Sequence, residues 1–465
     1  MRIILSFATE VAHLPRDYDH IKEMAEFLTA EELVGNFHLT GDYARALRRA
    51  GRWDVVDALR DHEIGFHCNH HGASPFVGTY MEERDWRGAT GEWLLNELPG
   101  LGVVQELFQR RPAYYTTEFS KAPQVVYASW LGGLPMIGYL LLPTRGHGAV
   151  WYCNSFVPNS EHLSSVEWPS RTEKPAEEVF RGKFHRFEEE LEGQETDLLR
   201  IIQHSYKVYC DPPFVMPKPT PYQDDTHNDE RGCPLNAPLP EAEIRSRVDT
   251  IKRALRYYAE RATFVSYTQY RDTFHDSGGH WITVDELDGI CTFLHDRLDA
   301  YVRPPLSASP AEMFGVLVRA LRVCHEDGAT PERVYMRNLI GPTAQLPHGL
   351  ADGEVRTRTV LESLRRIDRK LDEDLAVPAA VEFGDRAFGP GQTLKGLSDL
   401  YVAIRAGKRP DTVRMAGPNL PAVAEETFFA EETFTRPIYP EGFEGRNICR
   451  MARLQSWSWK PAVPV

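Results

Sequence analysis

No Cys-x-x-Cys pair occurs in these 465 residues, and the seven cysteines are scattered. An odd, dispersed count reads as reduced thiols in a reducing compartment. No apolar run reaches the ~18 residues that a membrane-spanning helix needs. The start, MRIILSFATEVAH, has one Arg, a short apolar run and then Thr9 and Glu10, without a small-residue cleavage site. It does not read as a secretory signal. Positive charge is the scarcer sign: 53 Lys and Arg face 67 Asp and Glu, for a net charge of -14. That balance argues against a general nucleic-acid binder, which needs a positive footprint to displace counterions. Together these absences lead us to expect a soluble cytoplasmic protein with neither membrane nor nucleic acid as partner.

What is present is a globular composition, 42% hydrophobic and 11% aromatic, unlike that of a disordered chain. The chain is too long for one ordinary core, so two or three domains are expected. Its most informative stretch is HEIGFHCNHHG, residues 62–72. His67 and His71 have the spacing H-x-x-x-H, which in one helical turn points both imidazoles the same way. Two such imidazoles are two-thirds of a typical catalytic zinc-type site, which keeps one position open for water. A third ligand and an acid/base partner must come from elsewhere.

Residues 2–8 (RIILSFA) and 36–40 (NFHLT) read as strands, and 20–30 reads as a helix with Ile21, Met24, Ala25 and Leu28 on one face. Asp42 is placed to cap a helix holding Ala44, Leu47 and Ala50. Another helix holds Trp53, Val56 and Leu59, before a strand at 63–66. Segments at 124–132, 136–142, 149–156, 197–205, 241–261 and 262–268 continue the alternation of strand and helix. Alternation of this kind predicts parallel strands with helical crossovers, closing economically as a barrel over 1–275. In such barrels chemistry sits at the C-terminal strand ends, where Glu10, His67 and His204 all fall. Residues 209–240 form a long loop rich in Pro and Asp, and Asp224-Asp225-Thr226-His227 within it reads as solvated rather than as a ligand cluster. Residues 276–279 read as a linker. Beyond it the pattern is mainly helical, with an internal repeat. SPAEMFGVLVRAL (309–321) then PERVYM parallels GPGQTLKGLSDL (389–400) then PDTVRM, at Pro-to-Pro offsets of 80 and 79. The tail, WSWKPAVPV, reads as surface-packed or extended toward a partner.

FHLTGD followed by HEIGFHCNHH resembles the corresponding segments of the polysaccharide deacetylase (NodB-like) superfamily of metal-dependent amide hydrolases. The order of elements extends the resemblance loosely over 1–275. It implies an α/β fold: a distorted seven-stranded (β/α) barrel at 1–275, here followed by a mainly helical accessory domain at 276–465. It also implies a divalent metal, zinc being the first expectation, held by Glu10, His67 and His71. The family's first motif reads T-F-D-D-G or, in another branch, D-x-E. This chain has Ser6-Phe7-Ala8-Thr9-Glu10. Glu10 matches the acid of the D-x-E version, whereas Ala8 replaces the Asp that takes a proton from the attacking water. Asp17, Asp19 and His13 are the nearest candidates for that role. Arg111-Pro112 falls where the family has an R-P-x-Y-G-like loop, without its Gly, so Arg111 and Tyr115 are candidate substrate contacts. Asn69 and His70, between the two ligand histidines, are further substrate-binding candidates. His204, in IIQHSY, matches the family's late histidine, which protonates the leaving amine.

The chemistry agrees with that assignment. A divalent metal lowers the pKa of bound water and polarises a carbonyl. Amide nitrogen leaves poorly unless protonated, so a second acid is needed, and imidazole suits the task. The expected function is hydrolysis of an N-acyl group, N-acetyl first, from an amino sugar or related carbon–nitrogen amide. The alternative, prompted by Ala8, is a catalytically impaired, metal-containing carbohydrate-binding protein. A third reading makes the accessory domain the main actor, as a glycan- or protein-binding module. The expected partner is a carbohydrate or a small N-acylated substrate, and residues 276–465 are the candidate surface for homo-oligomer formation.

Overall fold

The apolar run at the chain start forms β1 (Arg2–Thr9), buried from Ile3 onward. The computed structural model describes residues 1–9, 15–70, 77–116, 119–138, 140, 142–143, 145–158, 163–164, 176–192, 197–208, 239–276, 279–435 and 442–465. α1 (Pro15–Ala30) buries Ile21, Met24, Ala25 and Leu28, the face its spacing indicates. β2 (Asn36–Leu39), α2 (Gly41–Arg49), α3 (Trp53–Leu59) and β3 (Glu63–Phe66) follow. The cap of α2 is Thr40 and not Asp42: the Tyr43 N–H donates to the Thr40 side chain at 3.0 Å. Thr40 has the extended backbone that a capping residue needs, and Asp42 is already inside the helix. Then come α4 (Val77–Glu83), α5 (Trp86–Phe108), α6 (Pro123–Leu131), β4 (Ala149–Tyr152), β5 (Ser155–Pro158), β6 (Leu163–Ser164), α7 (Ala176–Leu191), β7 (Leu198–His204), α8 (Glu241–Ala259), β8 (Thr263–Phe264) and α9 (Tyr267–Arg271).

The sheet order is β3-β2-β1-β7-β6, with β8 beside β1, and these pairings are parallel. Backbone bonds continue the sheet past β3. Phe66 N–H donates to the Tyr114 carbonyl (2.8 Å), Tyr115 N–H to Met136 (2.9 Å) and Ile137 N–H to Phe156 (2.9 Å). The fold is therefore α/β with a parallel sheet, and among the described residues no closed barrel is seen. The long loop expected at 209–240 lies outside the described residues from 209 to 238. Five cysteines (Cys68, Cys153, Cys291, Cys324 and Cys449) are free and buried. No described helix is long and apolar enough to cross a membrane.

The chain divides into two compact units. One comprises Met1–Ala149, Phe156–Thr273 and Phe434–Gly445, and the other Val150–Ser155, Phe274–Thr433 and Arg446–Val465. In the second unit, β9 (His280–Thr283), α10 (Val284–Asp296), β10 (Tyr301–Arg303), β11 (Leu306–Ala308), α11 (Pro310–Asp327) and β12 (Arg333–Met336) form one series. β13 (Gly353–Arg356), α12 (Thr357–Asp374), β14 (Val381–Phe383), β15 (Arg386–Phe388), α13 (Pro390–Arg405) and β16 (Thr412–Met415) repeat its order. In each series the outer strands pair antiparallel and the inner two form a hairpin. α14 (Thr427–Ala430), α15 (Arg446–Gln455) and β17 (Lys460–Pro461) complete the unit. The C-terminal tail is core, contrary to the surface placement expected: Trp457 and Trp459 are 0% and 1% exposed. Trp457 donates its indole N–H to the Asn419 carbonyl (3.0 Å), so the ring buries its apolar body and satisfies its polar edge.

One close approach shapes the first unit's sheet. A Cβ at Gly65 would overlap the Tyr114 ring, which lies directly over that strand. Gly102, in α5, has open space where its Cβ would be. Gly65→Ala is therefore expected to cost ~1–3 kcal/mol by overpacking, whereas Gly102→Ala should be neutral or stabilising by up to ~1 kcal/mol. Thermal denaturation of the two variants checks this: equal melting temperatures would refute the close packing of Tyr114 on Gly65.

Candidate active site

The register of four adjacent strands lines up one row of residues. Ala8 pairs with His204 of β7 on one side and with His38 of β2 on the other, and His38 pairs with Gly65 of β3. In-register neighbours in a parallel sheet point to the same face, and adjacent strands lie ~4.8 Å apart. Ser6, whose hydroxyl lies 3.3 Å from the Tyr267 hydroxyl, is on that same face by the two-residue period. The opposite face is apolar, with Phe7 and Phe37 stacked at 4.7 Å. The row lies at the C-terminal edge of the parallel strands, where open α/β sheets bind ligands.

His67 follows β3 and reaches the same place. Its ring centroid is 5.5 Å from that of His38, at an interplanar angle of 51°. His38 and His67 are 3% and 9% exposed, while His204 is half-buried. The Tyr114 hydroxyl lies 3.5 Å from His38 Nδ1. Burial drives the Tyr114 hydroxyl well above its usual pKa, so it keeps its proton.

The segment after His67 is not the helical turn that the H-x-x-x-H spacing suggested, for residues 67–70 are irregular. Backbone and side-chain bonds hold it instead. His67 N–H donates to the Leu39 carbonyl (2.9 Å), Gly41 N–H to Cys68 (2.8 Å) and Asp42 N–H to Asn69 (3.0 Å). Asn69 N–H donates to Glu97 Oε2 at 2.6 Å, and its Nδ2 to the Asn96 carbonyl at 2.7 Å. A Cβ on either Gly41 or Gly100 would collide with Asn69, so the asparagine is wedged between two glycine backbones. His70 Nδ1 lies 2.9 Å from Asp42 Oδ2, and Arg45 donates to both Asp42 Oδ1 (2.7 Å) and Asn69 Oδ1 (2.9 Å). Burial pushes the Asp42 carboxyl up, but its bonds to His70 and Arg45 outweigh that and hold it below its ordinary range.

The site residues expected from sequence are distributed as follows. His67 and His204 come to one edge of one face. Glu10, His71 and His13 lie outside the described residues, as does Asp224–His227. Asn69 is buried and bonded within the protein, in a supporting position. His70 is tied to Asp42. Asp17 is fully buried in the first turn of α1, whereas Asp19 is exposed and ion-paired with Arg52 at 2.8 Å. Arg111 donates to the Gly132 carbonyl. It precedes the Ala113–Ile64 backbone bond, and so stands toward the N-terminal end of the sheet, away from the row. Tyr115 is buried against Trp93 of α5, which donates to its hydroxyl at 3.3 Å. Alternation sends Tyr115 to the helix side and Tyr114 to the row. His38 and Glu97 were missed. The signal for His38 was a polar residue alternating with Phe37 and Leu39 in a short strand; Glu97 carries no local signal inside an apolar helix.

Among the described residues, no three His, Cys, Asp or Glu side chains converge to hold a metal ion, and two of the three expected ligands are outside them. The donors that are described fit such a group. Two buried imidazoles side by side are the chemistry that zinc and similar borderline cations take.

Glu97 supplies a test of the loop's support. It is 3% exposed, and burial raises its carboxyl from 4.5 to about 7 despite the Asn69 bond and the nearby His70. Between those two values the folded chain holds a proton that the unfolded chain releases. The associated stability is therefore complete below about 4.5 and is lost as the pH rises through about 7. Glu97→Gln keeps an acceptor for Asn69 and never ionises. Its melting temperature should fall less than the wild type's between about pH 5 and 8; parallel declines would show that Glu97 is not neutral in the fold.

The chain matches no protein-family model and no curated protein. Among solved structures it is similar to the Puue allantoinase, at 11% identity over 58% of this chain and 88% of that one, with a TM-score of 0.35. It is similar to a CE4 esterase from Streptococcus mutans, at 10% identity over 57% and 84%, with a TM-score of 0.32. It is also similar to a CE4 family pseudoenzyme from Bacillus anthracis, at 8% identity over 58% and 64%, with a TM-score of 0.32. Other solved structures it is similar to include a putative polysaccharide deacetylase from Mycobacterium smegmatis and a peptidoglycan deacetylase from Bacillus subtilis.

Proposed function

We propose that this protein is a metal-dependent hydrolase that removes an N-acyl group, N-acetyl first, from an amino sugar or a related carbon–nitrogen amide. The observation that supports it is the gathering of His67, His38 and His204 at one edge of one sheet face. Glu10, His67 and His71 would hold a divalent metal, zinc first, which when bound polarises an acyl carbonyl and acidifies water. His204, half-buried at the edge of the row, donates the proton that lets the amine leave. The Asn69–Glu97 and His70–Asp42 bonds hold residues 69 and 70, which follow His67. The Tyr114 ring lies over Gly65, next to His38 in the row.

Ala8 favours a second reading. It is 1% exposed at the centre of the row, where a carboxylate would accept the proton of the attacking water, and a methyl group accepts none. The same centre would then bind an N-acylated sugar with little turnover.

Metal analysis of the purified chain, acetate release from N-acetylglucosamine oligomers, and the variants His67→Ala and Ala8→Asp separate these readings. One metal per chain, lost in His67→Ala, together with acetate release by the wild type, is the expected result. Metal with release only in Ala8→Asp would establish the impaired binder. A wild type without metal would overturn both.

A further inference from the structure

We propose that a cleft at the N-terminal end of the parallel strands binds a small zwitterion, a molecule with one carboxylate and one ammonium group, as in a free amino acid. The proposal does not depend on the metal reading and concerns a separate place in the first unit. Three observations carry it.

The first is space. A cleft of about 360 Å3 lies at the start of β3, beside residues 110–113 and the start of α9, with Asp61, Glu63, Arg110, Arg111 and Thr268 in its lining. That volume is in the range of small-molecule sites. The second is uncommitted charge. Elsewhere in this unit arginines lie against carboxylates: Arg45 on Asp42, Arg52 on Asp54, Arg84 on Glu92 and Arg256 on Glu31. Arg110 and Arg111 instead donate to backbone carbonyls, those of His62 and Gly132. Neither has an ion pair among the described residues, and Asp61 has neither hydrogen bond nor ion pair among them. A guanidinium has five N–H donors, so each keeps several for a carboxylate, which its fork suits. The cleft also desolvates Arg110 enough to lower its pKa from the usual value, and a bound anion would offset that.

The third is fixed position and balance. A Cβ on Gly133 would collide with the Arg111 guanidinium, so that group rests on bare backbone as well as on the Gly132 carbonyl. Glu63 accepts the Thr268 N–H on both oxygens at 3.2 Å, while burial raises its carboxyl above the ordinary range. A cation beside it would favour the charged form. Two guanidiniums and two carboxylates thus share one cleft. A plain anion would meet Asp61 and Glu63 there, and a plain cation would meet Arg110 and Arg111. A molecule with both charges matches both pairs, its carboxylate toward the arginines and its ammonium toward the acids.

Isothermal titration calorimetry of the full-length protein with glycine, L-alanine, L-glutamine, acetate and methylammonium tests this. At least one of the amino acids is expected to bind, one per chain, with a Kd of about 1 mM or tighter. Acetate and methylammonium are expected to bind at least about tenfold more weakly. Arg110→Gln and Asp61→Asn, both at exposed positions, should each weaken the amino acid about tenfold or more, the scale of one hydrogen bond to a charged group. Acetate as tight as the amino acids would make the cleft a plain anion site and overturn the proposal. Binding by none of the three amino acids, or binding unchanged in both variants, would overturn it too. In the wild type, the arginine Nε–Hε NMR signals of Arg110 and Arg111 should move on saturation with the amino acid. Their failure to move would overturn the proposal even if a variant does not fold.

Discussion

The in-register parallel pairing of β7, β1, β2 and β3 is the constraint on which the candidate site depends. A strand's side chains alternate between faces, so a slip of one residue would send His38 or His204 to the opposite, apolar face. Several contacts pin the register. Phe7 stacks on Phe37 across the strands. On the site face, Asn36 donates from Nδ2 to the Leu5 carbonyl (3.0 Å) and accepts from Tyr267 N–H (3.1 Å). Tyr114 fills the space over Gly65 and packs at 4.1 Å from Tyr267. An apolar face and a hydrogen-bonded polar face thus specify the same alignment.

The local parts of this arrangement were legible in the sequence. β1 is an apolar run and α1 a clear helical stripe, and both depend on neighbours within a few residues. His67 and His204 could be proposed because one follows a strand and the other ends one, and strand ends are where such sheets carry chemistry. What could not be read is what tertiary pairing decides. Tyr114 and Tyr115 are equivalent in the sequence, and only the bond from Phe66 N–H to the Tyr114 carbonyl assigns one to the row and the other to Trp93. Arg111 matched a motif in letters, but its guanidinium closes the end of α6 at Gly132. The spacing of His67 and His71 suggested a helix, yet the chain there is held by bonds to Leu39, Gly41, Asp42 and Glu97, none of them local. The aromatic tail looked like a surface element because nothing near it in sequence shows what covers Trp457 and Trp459.

Position 8 is a buried alanine at the centre of the row. Metal binding uses lone pairs, of the kind that imidazoles such as those in and beside the row supply. Hydrolysis needs in addition an acceptor for the proton of water, matched to the operating pH and within hydrogen-bond reach. An alanine at the centre of the row therefore bears on the two properties unequally. The segment after His67 is held by a buried carboxyl on Asn69 N–H, by Asp42 against His70 and by two glycines against Asn69. Such buried polar bonds are costly if left incomplete. In the proposed hydrolase, the proton acceptor for the attacking water must therefore come from outside the position that Ala8 fills.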